Sequence, residues 1–68
     1  EFKNRLKEIR IERKMTQRNV YELLSVSPNC YASWEQGRTQ PDIEMIKRLC
    51  EIFDVSADYL LGITDDDF

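Results

Sequence analysis

Ser25-Val26-Ser27-Pro28 is the segment that most constrains what this chain can fold into. It combines a short polar turn, an apolar plug, a hydroxyl suited to capping a helix, and a proline at the first helical position, where its missing N–H costs nothing. Before it, Thr16 is a second capping residue, and Val20, Leu23 and Leu24 follow at helical spacing, so a helix of about two turns ends at Leu24. After it, a helix runs from Pro28 to about Gln36, and Gly37 supplies its left-handed stop. Two short helices are thus joined by a tight turn across Ser25 to Pro28.

The rest of the chain is read in the same way. Only two glycines and two prolines punctuate the 68 residues, which fits short helices and tight turns better than many strands. Phe2, Leu6 and Ile9 share one face of a first helix that ends near Arg13. After Pro41-Asp42, the apolar residues Ile43, Ile46, Leu49, Cys50 and Phe53 predict a buried stripe on a fourth helix. Asp54-Val55-Ser56 makes a turn with a cap, and Ala57 to Leu61 a short fifth helix closed by Gly62. The expected fold is all-α, with five helices in residues 1–63 and an acidic, flexible tail at 64–68 that has little to bury.

A domain of this length buries only about 60% of the surface its unfolded chain exposes, so no deep substrate cleft can be spared and an enzyme is not expected. With no His, Cys30 and Cys50 cannot assemble a zinc site, and no metal or cofactor is implied. The two cysteines suggest reduced thiols in the cytoplasm, although one bridge is open to them. Apolar runs of two or three residues exclude a membrane span. The formal charge of −3 argues at first sight against nucleic acid, whose phosphates call for Lys and Arg. The distribution is uneven, however. Residues 1–38 hold eight basic and five acidic side chains, +3, and residues 39–68 hold two basic and eight acidic, −6.

The run from Thr16-Gln17 through Leu23-Leu24-Ser25-Val26-Ser27 to Ser33-Trp34-Glu35-Gln36-Gly37 resembles the Cro and cI repressor-type helix-turn-helix of the xenobiotic response element family. Leu6, Ile9 and Arg10 look like the family's first helix. Pro41, Ile46, Leu49, Phe53, Val55-Ser56, Asp58 and Leu60-Leu61-Gly62 look like its fourth and fifth. The implied fold is a lambda repressor-like domain. Where the family has a small residue, a turn glycine and an aliphatic, this chain has Tyr21, Ser25 and Tyr31; Lys14 also stands where glycine is common. The two phenol rings are expected to pair or to lean outward with their hydroxyls in water, since a buried Tyr O–H needs a partner. The turns at Lys14 and Ser25 are expected to be strained or differently wound.

The resemblance implies a transcriptional regulator, a repressor, with its third helix in the major groove of double-stranded DNA. Its base readers would be Ser27, Pro28, Asn29, Ala32 and Ser33. Asn29 offers the donor and acceptor pair that suits adenine, Ser33 a hydroxyl, and Pro28 and Ala32 apolar contact with a thymine methyl. No Arg or Lys stands there to read guanine, so A·T pairs are expected at the centre of the half-site. Phosphate contacts are expected from Thr16, Gln17 and Arg18 and from Gln36, Arg38, Thr39 and Gln40, with Lys14 or Arg13 adding charge. For each Lys or Arg the competing reading is a solubilising charge, and for Asn29 a local bond to backbone.

Arg10 and Glu35 would clamp the first and third helices, or, if exposed, contribute little. Trp34 is expected in the core, and Cys50 is read as a small hydrophobe. Cys30 is either passive or a redox switch in the first turn of the third helix. The expected partners are an operator duplex and a second copy, bound weakly through the fifth helix and the rim of the fourth, with room for a regulatory domain outside these residues. Against this stands a protein interaction module or antitoxin-like subunit, favoured by the acidic second half and the uncharged reading helix.

Overall fold

The computed structural model describes residues 1–66; Asp67 and Phe68, at the end of the acidic tail, lie outside the described residues. Five helices follow in order, α1 (Phe2–Glu12), α2 (Gln17–Leu24), α3 (Pro28–Gln36), α4 (Ile43–Phe53) and α5 (Ala57–Leu60), with no strand among the described residues. The all-helical expectation holds. Helix starts are set by side chains: Thr16, Ser27, Asp42 and Ser56 each accept the amide three residues on. Thr16 does so reciprocally, its own N–H donating to Asn19 Oδ1 at 2.9 Å, because Asn takes the place that Glu or Gln fills in the usual capping box.

Helix exits use one device throughout. Lys14, Ser25, Gly37, Asp54 and Gly62 take left-handed backbone, with φ of 57°, 59°, 77°, 56° and 80°. The next residue then bonds back five positions: Met15 to Arg10, Val26 to Tyr21, Arg38 to Ser33, Val55 to Cys50 and Ile63 to Asp58. At Lys14, Ser25 and Asp54 this conformation costs about 1–2 kcal/mol that glycine would not incur. The bonds offset it by satisfying carbonyls at the helix ends. The sequence pointed to the first two of these turns and missed Asp54.

Every helix contributes to one core: Leu6 and Ile9, Val20 and Leu24, Tyr31 and Trp34, Leu49 and Phe53, and Leu60 are buried. Met15, Val26 and Val55, the residues after three of the left-handed exits, pack at its edge together with Phe2 and Cys50. Burial pushes the Cys50 thiol up, which keeps it neutral. Ile43, expected on the buried stripe, is instead 78% exposed. At 3.6 residues per turn it falls about 120° around the axis from Leu49, on the first turn of α4 beyond the core. The tyrosines also depart from expectation. Tyr31 is fully buried and meets Trp34 edge to face, with ring centroids 5.7 Å apart, rather than pairing with Tyr21 or leaning into water.

Four arginines hold backbone carbonyls between elements. Arg48 of α4 donates to Leu23 and Leu24 at the end of α2, and Arg13 Nε to Phe53 at the end of α4. Arg10 reaches the Met15 carbonyl at 2.9 Å. Arg5 donates to the carbonyls of Tyr59 and Thr64, pairs with Asp65 at 2.6 Å and lies over the Tyr59 ring. Thr64 and Asp65, placed by the sequence in a loose tail, are thereby tied to α1.

Candidate nucleic-acid interface

The interface is organised around Glu35, whose carboxylate joins three helices. Arg10 of α1 grips it with a fork, Nε to Oε2 at 2.7 Å and Nη2 to Oε1 at 3.1 Å. Gln17, the first residue of α2, donates its Nε2 to Oε1 at 3.0 Å, and the Tyr31 hydroxyl of α3 donates to Oε2 at 2.6 Å. The Arg10 and Glu35 side chains are only 12% and 4% exposed, so their pairing is no weak surface contact. Burial alone would raise the Glu35 carboxyl, but the hydrogen bonds from Arg10, Tyr31 and Gln17 outweigh it and hold the group below the ordinary carboxylate range. Burial, and then the bond to Glu35, push the Tyr31 phenol far above its usual value, so it stays a donor. The sequence pointed to Arg10 and Glu35 but missed Tyr31; its spacing of four from Glu35 on one helix was the available signal.

On α3, Ser27, Pro28 and Asn29 are exposed at the start of the helix, while Ala32 and Ser33 are half-buried one turn on. Ser27 Oγ accepts the Cys30 amide as the cap, leaving its O–H to donate outward. The Ser33 hydroxyl is committed elsewhere: it donates to the Cys30 carbonyl at 2.7 Å and so must accept from Thr39 Oγ1. Ser33 and Thr39, expected to touch base and phosphate, therefore meet each other and tie the loop after α3 to the helix. Cys30 is half-buried and unbridged, as is Cys50.

Exposed polar groups flank the other end of this helix. The Gln17–Glu35 bond places the start of α2 beside the last turn of α3. Thr16 and Arg18 are exposed there, Arg18 Nε lying 3.0 Å from Glu22 in a solvated pair. At the end of α3 and past it, Gln36, Arg38, Thr39 and Gln40 are all exposed, and Arg38 donates to Gln36 Oε1 at 3.0 Å. Arg13, considered as a source of phosphate charge, instead turns its Nε to the end of α4, 2.8 Å from the Phe53 carbonyl. Among the described residues no group of three or more His, Cys, Asp or Glu is placed to hold a metal ion, and no helix is long and apolar enough to cross a membrane.

The family described as "Helix-turn-helix domain" matches residues 4–64, from the first turn of α1 through α5. The chain belongs to this helix-turn-helix family. Among curated relatives, the domain is 37% identical over 60 residues to the HTH-type transcriptional regulator YqaE of Bacillus subtilis, covering 88% of this chain and 52% of that protein. It is 32% identical over 62 residues to the regulator YobD of the same organism, covering 91% of this chain and 55% of that one. The crystal structure of a transcriptional regulator from Listeria innocua superposes with a TM-score of 0.86 at 31% identity, over 100% of this chain and 64% of that one. This helix-turn-helix domain thus spans about half the length of the curated relatives it matches.

Proposed function

We propose that the chain is the DNA-binding part of a sequence-specific transcriptional regulator, a repressor that occupies an operator duplex with α3 in the major groove. One observation carries this reading: α3 presents an exposed first turn, Ser27-Pro28-Asn29, and the Gln17–Glu35 bond sets the capped start of α2 beside its last turn, from which the polar loop to Gln40 leaves. Base edges are read by Asn29, with Ser27 donating and Pro28 and Ala32 giving apolar contact; Ser33 contributes mainly by shaping the loop. Thr16, Gln17, Arg18, Gln36, Arg38 and Gln40 face phosphates, which fix register, while Thr39, its hydroxyl donating to Ser33, holds the loop in place. The acidic second half stays away from the duplex and limits arbitrary binding.

Two copies complete the site. Recognition helices of such a pair lie about 34 Å apart, and the domain's longest dimension of 30 Å suits one half-site. The contact is α5 with the rim of α4, where Ile43 and Ile63 are 78% and 71% exposed and Leu61 edges a shallow groove of about 80 Å3 with Phe2, Pro41 and Ile46. Sensing or stronger assembly belongs to a part of the protein outside these residues, and the whole acts in the cytoplasm.

Selecting sites from a random duplex library tests the reading. A·T pairs should emerge at the half-site centre, and Asn29→Ala should cost about 1–3 kcal/mol at its cognate pair while flattening preference there. Sedimentation with the selected duplex should show two copies per site. A core that is uniformly G·C sinks the reader assignment, and no duplex binding at low salt favours a protein interaction module.

A further inference from the structure

The Glu35 carboxylate has about four lone-pair directions, and four donors fill them. Arg10 Nε and the Tyr31 hydroxyl share Oε2, and Arg10 Nη2 and Gln17 Nε2 share Oε1. With the Glu35 side chain 4% exposed, water is poorly placed to replace a missing donor. Tyr31 stands one turn before Glu35 on the same helix, and its hydroxyl holds Oε2 of the carboxylate whose Oε1 meets Gln17 at the start of α2. An aliphatic residue at this position would pack but could not donate.

We propose that Tyr31 is a positioning residue for DNA binding: by fixing the Glu35 carboxylate it holds the Gln17 side-chain amide in one orientation, with the second N–H of that amide left for a phosphate. The inference rests on the DNA-binding reading above. Tyr31 itself, fully buried, touches no DNA. Its effect is to order a flexible side chain in advance, so that less freedom is lost when the phosphate arrives.

Two measurements test this at a temperature where every variant is folded by circular dichroism. In the free protein, the Gln17 side-chain amide should give NMR signals distinct from those of exposed Gln36 and Gln40. Tyr31→Phe and Tyr31→Leu should move them toward the exposed pair, whereas Tyr59→Phe should not. On the selected duplex, both Tyr31 variants should bind about two- to tenfold more weakly, the range expected for one pre-ordered side chain. In a Gln17→Ala background the same changes should cost nothing further. Unmoved Gln17 signals, or losses that add fully in that background, overturn the positioning role. Absence of duplex binding by the unaltered protein overturns the functional reading first, and the Gln17 signals still judge the Tyr31 link separately.

Discussion

Glu35 shows how one side chain bears on both stability and the shape of the proposed reading surface. Its carboxyl is held below the ordinary range in the folded protein, so the stability it contributes is complete above the unfolded value of about 4.3 and is lost as pH falls through that value toward the native one. Glu35→Gln should remove this part of the acid sensitivity. At neutral pH it should cost about 3 kcal/mol, because Arg10 stays largely buried without its counter-charge. Urea melts between pH 3 and pH 7 on both proteins check this; parallel acid limbs would show that other carboxylates dominate. At this scale the sequence was legible in part. The Arg10 and Glu35 partnership came from resemblance to a family. Tyr31 was misjudged because no pattern in a chain says whether a phenol has a buried acceptor; that depends on where Glu35 points once three helices have met.

Helices were easier to read than their ends. Caps and starts were visible because hydroxyls and carboxylates before an apolar run have a local chemical reason to be there. The left-handed exit at Asp54 was not, since glycine advertises this conformation and aspartate does not. The exits also offer a direct test. Ser25 is exposed, with φ of 59°, and its amide bond to Glu22 survives any side-chain change. Ser25→Gly should therefore stabilise the domain by about 0.5–1 kcal/mol, raising its melting temperature by roughly 2–8 °C. A lower melting temperature in a calorimeter would show that the α2 exit is not strained. Ile43 is the complementary lesson. Helical spacing groups it with the apolar stripe, but a stripe is a range of angles, and its edge residues are buried only where a neighbouring element reaches them.

For the whole molecule, the charge that matters is what remains after internal pairing. Arg10 is matched by Glu35 and Arg5 by Asp65, and Arg13 and Arg48 are bonded to helix-end carbonyls. The Arg10–Glu35 pair already cancels inside the +3 of residues 1–38, but Arg5 is matched by Asp65 from outside that segment and Arg13 is engaged at a helix end, so +3 overstates what a duplex would meet. The cations left near the proposed contact are Lys14 and Arg38, both exposed, and Lys3, whose side chain lies against Gly37; Arg18 is paired with Glu22. About three neutralised phosphates per domain give an expected slope near −3 for log affinity against log salt. Titrations between 50 and 300 mM salt would measure it, and a slope twice as steep would mean that internally bonded arginines are released on binding.

The five helix exits share a hydrogen-bond pattern but not an anchor. After α1, α2 and α4 the next residue is Met15, Val26 or Val55, packed against the core; after α3 it is Arg38, exposed. Arg38 and Thr39 are held by bonds to Ser33, with no apolar side chain of their own inserted beneath them. On the proposed reading, the loop nearest the phosphates is thus tied to α3 by hydrogen bonds rather than by a buried side chain of Arg38 or Thr39, so its course can change without disturbing the core.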